Sequence, residues 1–419
     1  MSTKIKSVKA RQIFDSRGVP TIEAKVTLEN GITGRASVPS GASTGSFEAH
    51  EKRDGGMFYG GKGVYDAVNI INGKISSLLS GEEIYNQQRL DRIMIDADST
   101  DNKSNFGANS ILSVSLAAAR AAANSLSLPL FYYLGGMMAT TLPTPLMNIL
   151  NGGRHANNNL NIQEFMIIPT SAESFQDAMR MGTDVYRALK SLLEAEGYST
   201  AVGDEGGFAP NLKNDEAALE IIVRSIEKAG FVPFEDVSIA LDCAASEWFD
   251  GEGYTLMKSG ARFTPLELRE YLSGLSDNFP IVSIEDPFSE EDFESFRIFT
   301  ETNPLQVVGD DLFVTNRSRL EKGIDEGAAN AILIKPNQIG TLTETISTIK
   351  LAKENGYETI ISHRSGETDD SFISDLSVAV GASQIKAGAP CRGERLSKYN
   401  RLLMIEQILG KRSSFNSFF

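Results

Sequence analysis

Cysteine, histidine and tryptophan are scarce in this chain of 419 residues, which holds two, three and one of them. Two cysteines, Cys243 and Cys391, supply no disulfide framework and suit a reducing cytoplasm. The three histidines, His50, His155 and His363, are too scattered for a local His-rich metal motif. Positive charge is also short. Lys and Arg number 40 against 55 Asp and Glu, a net charge of −15, which disfavours nucleic acid or an acidic membrane as a general partner. The opening "MSTKIKSVKARQIFDSRG" has no apolar core and is not a signal peptide, so a cell-surface or secreted fraction would have to leave without one. The most apolar stretch, "SILSVSLAAARAAANSLSLPLFYYLGG", is broken by Arg120 and Asn124 and reads as an Ala-rich buried helix rather than a membrane span. No polar tract argues for disorder, and the length exceeds what one core usually fills, so two domains are expected.

The first part of the chain alternates. "TIEAKVTLE" puts Ile22, Ala24, Val26 and Leu28 on one face of a strand. With "SVKARQIF" before it and "ITGRASV" after it, a three-stranded antiparallel meander is predicted. Helices follow, the clearest in "GVYDAVNIINGKISSLL", where Val64, Ala67, Val68, Ile71, Ile75, Leu78 and Leu79 form an apolar stripe. A Gly-, Thr- and Pro-bearing break at residues 135–145 suggests a boundary between an α+β domain (1–137) and a second domain (138–419).

Beyond the break, short apolar runs end in ionisable residues. "VSIALD" ends at Asp242, "PIVSIED" reaches Glu285, "LQVVGDD" Asp310, "NAILIK" Lys335, "ETIISH" His363 and "SQIK" Lys386. The intervals are 43, 25, 25, 28 and 23 residues, a beat that suits strand–helix units. Between them lie helical stretches such as "TPLELREYLSGL", with Thr264 as cap, Pro265 at the first position and Glu267 completing a capping box. Parallel strands with crossover helices over residues 138–419 predict an α/β chain ending in a (β/α)8-type barrel, a fold of ~250 residues whose catalytic groups stand where the strands end.

An Asp at one strand end is ordinarily a turn or cap residue. Three carboxylates on successive strand ends are different, because like charges at one mouth repel unless a cation compensates them. Asp242, Glu285 and Asp310 offer only oxygen, which selects a hard ion such as Mg²⁺ over zinc. "VGDEGGFAPN" sets Asp204 and Glu205 among glycines, either a plain tight turn or a loop bringing a carboxylic acid close to a substrate. "VPSGASTGSFE" reads as a flexible connector or as an active-site lid carrying Ser43. Arg364 and Ser365 in "HRSGETDD" suit a phosphate, with a surface ion pair as the plainer account of Arg364.

These segments, together with "NGG-HA…QEFMI-P" (residues 151–169), "LD-AASE", "SIEDPF", "GDDL-VTN", "K-NQIGTLTE" and "QIKAGAPCR-ER", resemble the enolase family along essentially the whole chain. The resemblance implies an N-terminal α+β domain on a C-terminal barrel, two Mg²⁺ ions per active site and a homodimer or larger ring. It implies reversible dehydration of 2-phosphoglycerate to phosphoenolpyruvate. Position by position, Lys335 matches the base that takes the C2 proton, and Glu205 the acid that protonates the departing C3 hydroxyl. Asp242, Glu285 and Asp310 match metal ligands, and Ser43 the lid contact of the second metal. His155, Gln163, Glu164, His363, Arg364, Ser365 and Lys386 match substrate contacts. A free lysine titrates near ~10.4, so a lysine base must be tuned. Burial, Lys386 and metal cations are each expected to lower the Lys335 pKa. Pro336 restricts Lys335 to extended backbone. Two departures stand out: Val19 in "DSRGVPT", where the family commonly has Asn, and Arg154 beside His155, where a small residue is more usual. A non-catalytic binding protein on this fold would require loss of a catalytic residue, and none is lost. A relative acting on other carboxylates is opposed by the phosphate-suited "HRSG" and "SGASTG".

Overall fold

Alternation in the N-terminal segment folds as periodicity dictates. In the computed structural model, which describes residues 2–42 and 45–418, β1 (Ile5–Phe14), β2 (Pro20–Leu28) and β3 (Thr33–Ser37) pair antiparallel in that order. Ile22, Ala24, Val26 and Leu28 are all fully buried. They pack towards the Ala-rich helix Ala108–Ser125, whose small side chains let β3 lie almost on its backbone. A Cβ at Gly34 would stand 2.2 Å from the Ala117 oxygen and 2.2 Å from the Ala121 nitrogen. No single helix among the described residues is long and apolar enough to cross a membrane.

The predicted apolar stripe after residue 64 is not one uniform helix. An α-helical turn Tyr65–Ile70 leads into a π-helical turn Ile71–Ile75 and then Ser76–Leu79. The widened turn lies where Asn72 accepts from the Ala10 amide at 2.8 Å and Ser76 from the Val8 amide at 3.2 Å. These side chains satisfy the outer edge of β1, which would otherwise expose unpaired donors. Leu78, assigned to the apolar face from the spacing, is exposed instead.

Eight strands then close a barrel: β4 (Thr144–Asn151), β5 (Glu164–Pro169), β6 (Val237–Asp242), β7 (Ile281–Glu285), β8 (Gln306–Gly309), β9 (Ala331–Ile334), β10 (Glu358–Ser362) and β11 (Gln384–Lys386). The expectation of parallel strands throughout needs one correction. β5 runs antiparallel to both β4 and β6. The connection at 152–163 is Gly- and Asn-rich and forms no helix, whereas a parallel return usually carries a crossover helix. Two helices, Phe175–Ala195 and Asp215–Lys228, follow before β6. From there strands and helices alternate, and the capping box at Thr264 forms as predicted, with both hydrogen bonds made. The barrel interior is filled by Leu146, Met166, Ile168, Ala240, Val282, Val308, Ala331, Leu333 and Ile360, so it is a packed core and not a pore.

The N-terminal segment docks on the barrel through polar contacts. Arg120 pairs with Asp370 at 2.6 Å, and Asp91 accepts from the Thr343 amide at 3.0 Å. Residues Ser40 and Gly366 form a two-residue bridge beside the barrel mouth.

Candidate active site

Reversal of β5 decides which residues share the rim. In a parallel strand the rim residue comes last; in β5 it comes first. Glu164 opens β5 in register with Asp242, and Asp242 is in register with Glu285. Gln163, one residue earlier, donates to Asp242 Oδ2 at 3.4 Å. Lys386 ends β11 and Ser362 ends β10 as its partner. Lys335 follows β9 with φ −120° and ψ 103°, the extended backbone that Pro336 requires. A small cavity is lined by His155, Gln163, Glu164, Glu205, Asp242, Asp310, Lys335, His363, Arg364, Ser365 and Lys386, with Gly41 and Ser362. Glu285 joins this group through Lys386. Ser43 lies outside the described residues.

The acidic rim is compensated by lysine. The Lys386 ammonium lies 2.9 Å from Glu285, 3.1 Å from Asp242 and 3.3 Å from Glu164. Burial pushes Glu285 up to about 8, helped by Asp242 and opposed by Lys386. Burial opposes the Lys386 charge, but Asp242, Glu164 and Glu285 outweigh it and hold the ammonium well above the usual lysine range. Asp310 pairs with the Lys335 ammonium and accepts from Gln338 Nε2 at 2.9 Å. Thr315 completes this ring, taking the Lys335 amide at 2.9 Å and donating to Gln338 Oε1 at 2.7 Å. Asp286 sets the turn beneath it by accepting the Asp310 and Asp311 amides at 2.9 and 2.7 Å.

Lys335 is set by the same balance. Burial does work to lower the Lys335 pKa, as predicted, but the Asp310 carboxylate, with Glu285, outweighs it and the ammonium is held above its ordinary range. Arg364 and Lys386 also act on Asp310, but Lys335 is the cation in contact with it.

Glu205 sits on the turn Asp204–Gly207, where Gly206 takes φ +88°, a conformation open to glycine. Glu205 Oε2 accepts from Asn148 Nδ2 at 2.9 Å and faces His363 Nε2 at 3.4 Å. His155 Nδ1 stands between the acids, 3.6 Å from Glu164 and 3.9 Å from Glu205. Burial and then the Glu205 charge push Glu164 well above the carboxylate range. Burial pushes Glu205 the same way, but the imidazoles of His363 and His155 oppose it and carry it below that range. His363 itself is moved down to about 3, mainly by burial, so its ring is uncharged near neutral pH. The environments of the two carboxyls thus pull in opposite directions, Glu164 towards its neutral form and Glu205 towards its charged one.

Arg364 is buried, so the surface ion pair does not describe it. Its NH1 and NH2 lie 2.9 and 3.1 Å from the Glu48 oxygens, and NH1 also donates to Asn337 at 3.2 Å. Ser365 Oγ accepts from the Ala42 amide at 2.7 Å. Arg154 points outward and pairs with Glu247 at 2.8 Å. Val19 closes a small turn, its amide bonding Asp15 Oδ1 at 2.9 Å. Sequence reasoning missed Glu48, Asn148, Thr315, Gln338 and Arg395. Glu48, Thr315, Gln338 and Arg395 lie inside segments that carry the family resemblance, which was a usable signal; Asn148 is an inward residue of β4 and had none.

The donor chemistry fits a hard divalent cation. Two sets of three donors lie within 4.8 Å of one another among the described residues, His155/Glu164/Glu205 and Asp286/Asp310/Asp311. Both Asp286 oxygens in the second set are spent on backbone amides. Asp242 and Glu285 belong to neither set, and both pair with the Lys386 ammonium. Asp242, Glu285 and Asp310 are buried and present only oxygen, the donor type such an ion takes, but no set among the described residues brings the three together.

Two family models cover nearly the whole chain. Residues 5–134 match the enolase N-terminal domain, and residues 139–418 match the enolase C-terminal TIM barrel domain. With a closed eight-stranded barrel, an N-terminal meander and an acid–lysine rim, the chain belongs to the enolase family.

Proposed function

We propose that this protein is a Mg²⁺-dependent lyase interconverting 2-phosphoglycerate with phosphoenolpyruvate and water. The observation that carries it is one small cavity holding a lysine, a glutamic acid and an arginine–serine pair above buried carboxylates. Lys335 follows β9, and Glu205 stands in the loop preceding Asp215–Lys228.

Arg364 and Ser365 hold the phosphate, for which a guanidinium is the matched bidentate partner. Lys335 Nζ takes the proton from C2. The electron pair left behind makes the carboxylate enolate-like and dianionic, so positive charge nearby sets the barrier. Asp242, Glu285 and Asp310 would hold Mg²⁺, with Ser43 contributing to a second ion, and bound Mg²⁺ supplies the positive charge that the dianion needs. In the second step the C3–O bond breaks, the C2 electron pair becomes the C2–C3 double bond, and Glu205 gives its proton to the departing oxygen, releasing water. His155 stands between Glu164 and Glu205, beside the acid that must carry this proton. Lys386 faces the substrate carboxylate. Lys335 must lose its proton before it can act, and Asp310 releases its hold on that proton when its own charge is engaged elsewhere.

Following phosphoenolpyruvate absorbance with and without a chelator tests the reading. Formation that stops on chelation and resumes with Mg²⁺ supports it; turnover indifferent to metal removal refutes it.

A further inference from the structure

Arg395 is fully buried, a rare state for a guanidinium, and it lies behind the catalytic ring rather than in it. It projects from the helix Gly393–Leu409. NH1 lies 2.6 Å from His363 Nδ1 and donates to the Arg364 carbonyl at 2.7 Å. NH2 donates to the Ser365 carbonyl at 2.6 Å and to the Asp204 carbonyl at 3.0 Å. One side chain thus ties segment 363–365 to the turn that carries Glu205.

The contact with His363 has a chemical consequence. A guanidinium has donors only and does not give up its proton in a protein. The nitrogen facing it must therefore be a lone-pair acceptor, so His363 Nδ1 carries no hydrogen. In the neutral imidazole the hydrogen then sits on Nε2. That nitrogen is buried, faces the cavity 3.4 Å from Glu205 Oε2, and has no aligned hydrogen-bond partner among the described residues. Glu205 Oε2 already accepts from Asn148. A buried donor left without a partner is costly and calls for an acceptor. The geometry points to Arg395 as a positioning residue that locks His363 in the Nε2–H form, so that His363 presents a donor to a ligand oxygen beside Glu205 and never accepts a proton there. The lock follows from the structure alone; the identity of that oxygen rests on the proposed lyase reaction, in which it is the departing C3 oxygen.

The ring can be read directly, because three histidines yield three imidazole spin systems. Histidine is labelled with ¹⁵N in the full-length protein, and His363 is assigned by its loss in His363→Gln. At neutral pH without substrate, His363 should show an unprotonated acceptor Nδ1 and a protonated Nε2. Arg395→Met should give mixed tautomers and a kcat lower by about tenfold to a hundredfold, with KM for 2-phosphoglycerate little changed. Arg395→Lys, still a pure donor, should recover part of the Nε2–H population and of kcat. An Nδ1–H or doubly protonated ring in the unaltered protein overturns the proposal, as does an unchanged tautomer in Arg395→Met. Should neither variant fold, the spectrum of the unaltered protein decides by itself. Since that spectrum is taken without substrate, an absence of 2-phosphoglycerate turnover would sink the lyase reading and leave the lock standing.

Discussion

Glu48 grips Arg364 across the junction between the N-terminal segment and the barrel, its two oxygens 2.9 and 3.1 Å from the two terminal nitrogens. The same segment is fastened beside this pair. Phe47 lies under the Arg319 guanidinium at 3.9 Å, and Ser46 donates to Glu290 at 2.5 Å. The arginine proposed to hold the phosphate is thus held by a residue of the N-terminal segment. Glu48→Ala should raise KM for 2-phosphoglycerate by about tenfold, roughly 1.4 kcal/mol of binding, with a smaller fall in kcat. Steady-state kinetics check this. Tighter binding in the variant would mean that Glu48 competes with the phosphate instead of aiming its partner.

Proton removal and hydroxyl loss are assigned to different residues and should separate. Lys335→Ala is expected to abolish exchange of the C2 proton with solvent deuterium. Glu205→Gln is expected to keep that exchange and lose dehydration. Mass spectrometry of recovered 2-phosphoglycerate distinguishes them, and equal loss of exchange in both variants would overturn the division of roles.

Metal binding should also appear as stability. Lys386 and Lys335 are weak compensation for buried carboxylates, since each carries one charge. Mg²⁺ at a hundredfold excess over its dissociation constant should stabilise the fold by about 2.7 kcal/mol. Thermal unfolding with and without the ion measures this, and the gain should vanish in Asp242→Ala.

Close approach of β3 to the Ala-rich helix sets a steric limit. Gly34→Ala places a methyl 2.2 Å from backbone atoms of Ala117 and Ala121, which cannot move without shifting the helix. The expected cost is at least about 2 kcal/mol, seen as a lower thermal midpoint. A midpoint equal to the parent's would contradict the packing.

Acid should loosen the docking of the N-terminal segment. Burial works to raise the Asp370 carboxyl, but Arg120 and hydrogen bonds outweigh it and hold its pKa below the ordinary value. A carboxyl depressed on folding adds stability above its unfolded value, near ~3.9, and loses it as pH falls through the folded one. Stability should therefore drop below about pH 4. Asp370→Asn should be weaker at neutral pH and flatter across that window, as denaturant titrations at several pH values would show.

Local signals made much of this protein legible before any coordinates. The alternation of Ile22 to Leu28, the capping box at Thr264 and the ionisable residue at the end of six of the eight barrel strands depend on periodicities of two and 3.6 and on backbone donors a few residues away. The unbroken apolar stripe after residue 64 did not survive, because the π-helical turn answers a need of β1, a strand some sixty residues earlier. The all-parallel barrel failed at β5 because the strand's direction depends on what lies between it and its neighbour, not on its own residues.

By itself the sequence determined which residue types would crown the barrel, since a strand's length and end are written in its own apolar run. Only the tertiary structure decided their state. Glu164 reached the rim through the reversal of β5, Arg364 took its aim from a residue 316 positions away, and His363 its tautomer from one 32 positions on. Lys335 kept its proton because Asp310 lies against it. Charge, protonation and orientation follow from distances between groups remote along the chain, and those distances exist only once the chain has folded.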